Sequence, residues 1–281
     1  MLLKDFSPAA DLSDYVQLLR IVHLQFDANQ PLPFKAYPPR PEHCLAFYPF
    51  DTERITYASD GKEVKDVPVV LYGQFSEVTN RFIGANFLVV QVIFWPGALY
   101  RLTGIPADEI TNTYADASNF IKGDLQQVNE LLRAANNYTT MLSIVQDFVR
   151  GLIRKEKKSR LPIDDAFAKL LISPHQLSLD NIAGQACLSV RQLERRFKER
   201  TGINPKLYQR IIRFDRAFRL KNTYPHLDWL RIAMECGYHD HQHLAKEYKD
   251  FTGMSPNTFH EIEERAPERH FGLNEGYYQA E

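Results

Sequence analysis

Apolar positions fall into the same order twice in the last hundred residues. The first series is Ile182-Ala183, Leu193, Phe197-Lys198, Thr201-Gly202 and Pro205; the second is Ile232-Ala233, Leu244, Tyr248-Lys249, Thr252-Gly253 and Pro256. The offset is 50 residues for the first pair of positions and 51 for the rest. A repeat that gains one residue in a turn while both flanking helical patterns survive is the mark of a duplicated supersecondary unit. Helix, tight turn and second helix is the unit these spacings predict.

In the first copy Asp180 is placed to cap a short helix over residues 181–186, Cys187-Leu188 forms the turn, and Ser189 with Gln192 makes a capping box for the next helix. There Leu193 and Phe197 point inward, leaving Arg191, Glu194, Arg195 and Lys198 outward. In the second copy Trp229, Ile232 and Ala233 belong to the supporting helix, Gly237-Tyr238 to the turn, and Asp240 to the cap. Leu244, Tyr248 and Phe251 form the buried stripe, and His241, Gln242, His243, Lys246 and Lys249 lie outward or at the helix start. Residues 205–222 read as one long joining helix with Leu207, Ile211, Phe214, Ala217 or Phe218, and Leu220 inward. Its Arg210, Arg213, Arg216 and Arg219 remain for phosphates or acidic neighbours.

The pattern differs before residue 100. From about residue 31 to 98, short β-branched and aromatic runs at 45–49, 54–58, 67–73 and 87–94 are bounded by Gly, Pro and Asp, as strands are. Asp60-Gly61 predicts a hairpin turn. Pro106-Ala107-Asp108-Glu109 predicts a helix start. Helices are expected at 118–135 and 138–155, the second with an apolar face of Met141, Leu142, Val145, Phe148, Val149, Leu152 and Ile153 that packs on its own domain or on a second copy. Residues 154–160 are basic and lack periodicity, as a linker does. The fold class expected is thus an α+β N-terminal domain, β-rich and barrel-like with helices after it, and an all-α C-terminal domain of two helix-turn-helix units joined by a long helix. The boundaries are 1–115 for a sensor domain, 116–160 for a helical connector, 161–262 for the repeated units and 263–281 for an acidic tail. That tail, with Gly272, Gly276 and Tyr277-Tyr278, is loosely ordered or covers the first domain.

Composition is that of an ordinary water-soluble globular chain: 281 residues, 44% hydrophobic and 25% charged, with a net charge of -1. The distribution of charge changes the picture. Lys plus Arg against Asp plus Glu runs 11 to 17 over residues 1–149, 21 to 12 over 150–260 and 2 to 6 over 261–281. Basic charge is therefore concentrated on the repeated segment, as in a nucleic-acid reader. Cys44, Cys187 and Cys236 are odd in number and scattered, which indicates neither a disulfide framework nor a zinc site and fits a reducing cytoplasm. The N-terminus has no apolar signal core, and the longest apolar run, residues 87–95, is too short to cross a bilayer.

Residues 179–259, above all Leu193-Glu194-Arg195-Arg196-Phe197-Lys198 and Phe251-Thr252-Gly253-Met254-Ser255-Pro256, resemble the tandem helix-turn-helix domain of AraC/XylS transcription regulators. The resemblance implies two recognition helices entering adjacent major grooves, about 34 Å apart on one face of the duplex. The DNA-contacting set it implies is Arg191, Gln192, Glu194, Arg195, Lys198, His241, Gln242, His243, Lys246 and Lys249. Arginines suit guanine, Gln242 adenine and Glu194 cytosine, whereas Lys198 and Lys249 suit phosphates. Cys187 stands where the family's first turn has Gly, so that turn is expected to differ in detail; a Cys at positive φ costs on the order of 1–2 kcal/mol. Residues 94–119 are similar to the end of the small N-terminal domain of some AraC-type regulators, which implies an effector-binding or interaction domain without naming an effector.

The reading is therefore a cytoplasmic DNA-binding regulator and not an enzyme, without metal, cofactor or membrane. Its expected partners are double-stranded DNA, a small-molecule effector, a second copy of the chain and RNA polymerase. Two alternatives stay open: a metal-dependent barrel enzyme using His23 and His43 with Glu42, fused to a targeting domain, or a helical interaction protein that has lost DNA contact. His239 and His243 could converge on a metal, but neither Cys nor acid completes a zinc set.

Overall fold

The computed structural model describes residues 1–27, 29, 31–172 and 179–275. The first half is built on two antiparallel sheets. The larger contains, from edge to edge, β1 (Leu2–Phe6), β2 (Val16–Gln25), β9 (Asn86–Phe94), β4 (His43–Phe47), β7 (Val69–Tyr72) and β10 (Tyr114–Asp116). The smaller contains β3 (Lys35–Tyr37), β8 (Thr79–Phe82), β5 (Arg54–Tyr57) and β6 (Glu63–Val64). Both are open at their edges, so the barrel-like expectation resolves into a sandwich and no closed barrel forms.

Side-chain alternation explains the layering. Along β9, Leu88, Val90, Val92 and Phe94 face one core and Phe87, Val89 and Ile93 another. The first core is completed by α1 (Ala98–Thr103), α2 (Leu125–Ala134) and α3 (Tyr138–Ile153), the second by Ile55 and Tyr57 of the smaller sheet. A strand buried on both faces reads as a continuous apolar run, which is what residues 87–94 are. The Asp60-Gly61 hairpin forms as expected, with Gly61 at φ +70° and β5 paired to β6.

Several elements differ from the sequence expectation. β2 is the longest strand, yet its polar residues Gln17, Arg20 and His23 recur every third position, a spacing closer to a helix than to a strand. The start at Pro106 yields only a 3-10 turn, Ala107–Ile110. The helix expected over 118–135 is a 3-10 turn at Ala117–Asn119 followed by α2, capped by Asp124. The apolar face of α3 packs on its own domain. The basic stretch after α3 is tied down: the Lys157 and Lys158 amides donate to the Arg101 carbonyl, and Arg160 pairs with Asp14 at 2.7 Å.

The second half is helical: α4 (Pro162–Ile172), α5 (Leu179–Gln185), α6 (Val190–Thr201), α7 (Pro205–Thr223), α8 (Trp229–Glu235), α9 (His241–Thr252) and α10 (Pro256–Glu263). Asp180 lies inside α5, one residue past its first described position, and not at a cap. α7 runs through the centre with Ile211, Phe214, Ala217, Phe218 and Leu220 buried and Leu207 half-buried. The two halves share a core, because Ala36 of the small sheet and Val78, just before β8, pack among the helical residues. The acidic tail, followed to Glu275, covers the first domain; Gly276 and Tyr277-Tyr278 lie outside the described residues.

Candidate nucleic-acid interface

The two helix-turn-helix units are built alike. Ile182 and Ala183 of α5 are buried with Leu193 and Phe197 of α6, as Ile232 and Ala233 of α8 are with Leu244 and Tyr248 of α9. In each turn the amide after the positive-φ residue donates back to the supporting helix, Leu188 to Ala183 and Tyr238 to Ala233, both at 2.9 Å. Cys187 adopts φ +51° and Gly237 φ +77°. The first turn therefore does not differ in kind from the second: the hydrogen bonding and packing impose the left-handed conformation on a residue that pays for it in Cβ strain.

The second helix of each unit begins with a side-chain cap. The Ser189 hydroxyl accepts from the Gln192 amide while the Gln192 side chain accepts from the Ser189 amide. Asp240 accepts from the His243 amide at 2.7 Å. Arg191, Glu194, Arg195 and Lys198 on α6 and His241, Gln242, Lys246 and Lys249 on α9 are exposed. Gln192 is exposed too, but its oxygen is committed to the cap, leaving only its amide donors outward. His243 is only half-exposed, edge-on to Tyr238 with its Nε2 3.4 Å from Arg213.

The arginines of α7 serve mostly inside the protein. Buried Glu247 on α9 accepts from Arg210 at 3.0 Å, from Arg213, and from the Tyr238 hydroxyl at 2.9 Å. Three elements thus converge on one carboxylate, which fixes α9 against α7 and the second turn. Arg219 pairs with Asp215 at 2.8 Å and with Glu42 at 3.3 Å, both buried. In the first unit Arg200 on α6 donates to Asp164 on α4 at 2.6 Å in the interior. Burial pushes the Asp164 carboxyl up, partly offset by the Leu161 amide and by Arg200.

Sequence reading missed the contact of α6 with the N-terminal domain. The carboxyl end of α6 packs on the 3-10 turn Ala107–Ile110 and on α1. Tyr100 donates to Glu199 at 2.9 Å, and Lys198 lies 3.8 Å from Asp108. Asp108 and Glu109 share a cleft with Arg195 and Lys198. No local signal marks this docking, although acids beside a turn and a basic helix elsewhere form a complementary pair once the chain is folded.

Among the described residues, the histidines do not gather into a metal set. His23 shares a 2.8 Å hydrogen bond with Tyr138 and is held below its ordinary pKa mainly by burial. His43, fully buried beside the Thr201 backbone, is pushed down to about 4 by burial. His239 is exposed next to Asp240. Among the described residues, the side chains close enough to hold a metal together are Glu263, Glu268 and Glu275, and Lys35 already stands among them.

Residues 168–262 match a helix-turn-helix domain family, and residues 4–116 match a domain of unknown function (DUF6597). Residues 168–262 thus form a helix-turn-helix domain of the AraC type. The chain is 27% identical over 143 residues to the Msm operon regulatory protein of Streptococcus mutans, covering 50% of this chain and 51% of that one. It is 30% identical over 149 residues to the transcriptional activator RhaS of Escherichia fergusonii, covering 47% and 52%. The chain thus spans about half the length of these two relatives. ToxT of Vibrio cholerae is similar at 11% identity over 89% of this chain and 98% of its own, with a TM-score of 0.47.

Proposed function

We propose that this AraC-type chain regulates transcription by reading DNA sequence with α6 and α9, under the control of its N-terminal domain. One observation carries this reading: two equivalent helices, each capped at its start and braced from behind by arginine pairing with a buried carboxylate, present exposed basic and amide side chains. Rigid presentation matters, since a side chain that must be ordered on binding gives up affinity to entropy.

In this reading Arg191 and Arg195 take guanine edges, Gln242 takes adenine, Glu194 takes cytosine, and Lys198, Lys246 and Lys249 hold phosphates with His241 at the helix start. Gln192 and His243, already engaged within the protein, contribute through position more than through base contact. An effector or partner at the N-terminal domain would act by favouring one placement of that domain over another. The regulatory names of the relatives support a regulator over a barrel enzyme.

Selection of bound fragments from random duplex DNA, followed by a salt titration on the winner, tests the reading. A reader yields a consensus with two half-sites and an affinity that falls steeply with added salt. An interaction protein that has lost DNA contact yields no enrichment, and that result would overturn the proposal.

A further inference from the structure

The turn that follows Pro106 faces two ways. Ala107 and Ile110 are buried in the N-terminal domain, while Asp108 and Glu109 between them are exposed. Acids in such a place ordinarily answer the positive end of a helix. Here no helix follows: the segment closes after the single 3-10 turn Ala107–Ile110, and no side chain caps it. What the two carboxylates meet is α6, whose carboxyl end packs on the same turn. Lys198 Nζ lies 3.8 Å from Asp108, and Arg195, Lys198, Asp108 and Glu109 line one cleft.

The repeat supplies a control within the molecule. An offset of 51 residues carries Arg195 to Lys246 and Lys198 to Lys249, on a helix of the same length. Among the described residues neither of these lysines forms an ion pair, and the acids beside them, Glu247 and Asp250, pair with Arg210 at 3.0 and 2.5 Å. The N-terminal domain thus sets a carboxylate against the basic face of the first unit and leaves that of the second open.

The fold does not depend on that contact. An ion pair whose members are 58% and 41% exposed contributes little to stability, and the docking of α6 is carried by its packing on α1 and by the Tyr100–Glu199 hydrogen bond at 2.9 Å. The carboxylates matter to another partner. A phosphate brought to Lys198 meets negative charge well inside the screening length of about 8 Å at physiological salt.

We propose that Asp108 and Glu109 stand in for backbone phosphates on the first reading helix, so that DNA must displace an internal counterion before it engages Lys198 and Arg195. The inference rests on the DNA-reading proposal, because the anion displaced is DNA, and it adds a means of control. Any movement of the N-terminal domain that draws the turn off α6 raises affinity without altering a DNA-facing residue. The second unit, lacking such a counterion, makes the first contact.

The experiment uses the full chain, the selected consensus and a random-sequence duplex, with anisotropy as the readout. D108N/E109Q should bind both duplexes about 5-fold more tightly than the unaltered chain. D60N/E63Q, which makes the same change of charge on the β5–β6 hairpin, should gain less than about 2-fold. K198Q should cost little in the unaltered chain and about 5-fold in the D108N/E109Q background, whereas K249Q costs the same in both. D108N alone, the milder change, should give part of the gain and keeps the test open if the double variant fails to fold. A gain no larger than that of D60N/E63Q, or a K198Q cost that is the same in both backgrounds, would overturn the inference and leave the regulator reading standing. Absence of binding to either duplex at low salt, in the unaltered chain and in D108N/E109Q alike, would overturn both.

Discussion

The Thr111 hydroxyl donates to the Gly202 carbonyl at 3.0 Å, joining the N-terminal domain to the last turn of the first reading helix. Gly202 is the C-cap of α6 with φ +90°, and Gly253 holds the same place on α9 with φ +74°. A Cβ on Gly202 would stand 2.4 Å from Thr111 Oγ1 and 3.0 Å from the Ala107 carbonyl oxygen, whereas one on Gly253 would meet nothing within 4 Å. Gly253→Ala should therefore cost only backbone strain, on the order of 1 kcal/mol, and Gly202→Ala clearly more. Denaturant unfolding of the two variants measures the difference, which isolates the contact between domains. Equal losses would show that Thr111 yields without cost.

Cys187 gives a prediction of opposite sign. Its φ of +51° is one that glycine adopts freely, and its side chain is exposed. Cys187→Gly should raise stability by roughly 1 kcal/mol, and Gly237→Ala in the matching turn should lower it by a similar amount. Thermal melts of both variants, in reductant, check the pair.

On DNA, Arg195→Ala should relax base preference by about 1–3 kcal/mol at one position, whereas Lys249→Ala should weaken all sequences alike and reduce the salt slope by about 1. Glu247→Gln is a different kind of change. It removes the charge on which Arg210 and Arg213 converge, so it should loosen α9 and lower affinity without any direct DNA contact. Competition binding on shuffled sites separates the three.

Two buried groups make stability depend on pH in opposite directions. His43 is held at about 4 by burial, below its ordinary 6.5, so its unfolded form takes up a proton first as pH falls. Its contribution is complete above pH 6.5 and is lost on the way down to 4, by about 3 kcal/mol. Glu263, raised from 4.5 to about 7, contributes fully below 4.5 and loses that contribution as pH rises to 7. Unfolding free energies at pH 5, 6 and 7 should accordingly rise less steeply with pH in His43→Gln than in the unaltered chain, and more steeply in Glu263→Gln. Parallel profiles in all three would contradict the assignment.

The duplicated units were legible because their information is local: helical spacing, the Ser189–Gln192 cap and the Asp240 cap each lie within a few residues. The outward positions of Arg191, Arg195, Lys246 and Lys249 followed from that spacing. β2 was not legible, since a strand buried on both faces has no alternation to read, and its Arg20 and His23 answer to Asp5 and Tyr138, which lie on other elements. Nor was the use of Arg210, Arg213 and Arg219 as internal braces, because an arginine on a helix face declares its charge but not which distant acid will meet it. The same holds for Glu268 and Glu275: the acidic tail was visible, and only the fold could bring it to Lys35 across more than two hundred residues.

Both reading helices end on the N-terminal domain, α6 through the Gly202 carbonyl and α9 through the Phe251 carbonyl, which accepts from the Val78 amide at 3.1 Å. A single body thus gauges the interval between them, as the frame of a caliper does. Inserting one base pair between half-sites turns the second by about 34° around the duplex axis. In the proposed reading, with both jaws seated on one frame, that phase error would fall on the DNA, which would have to untwist, or on the seat of one helix, which would have to open.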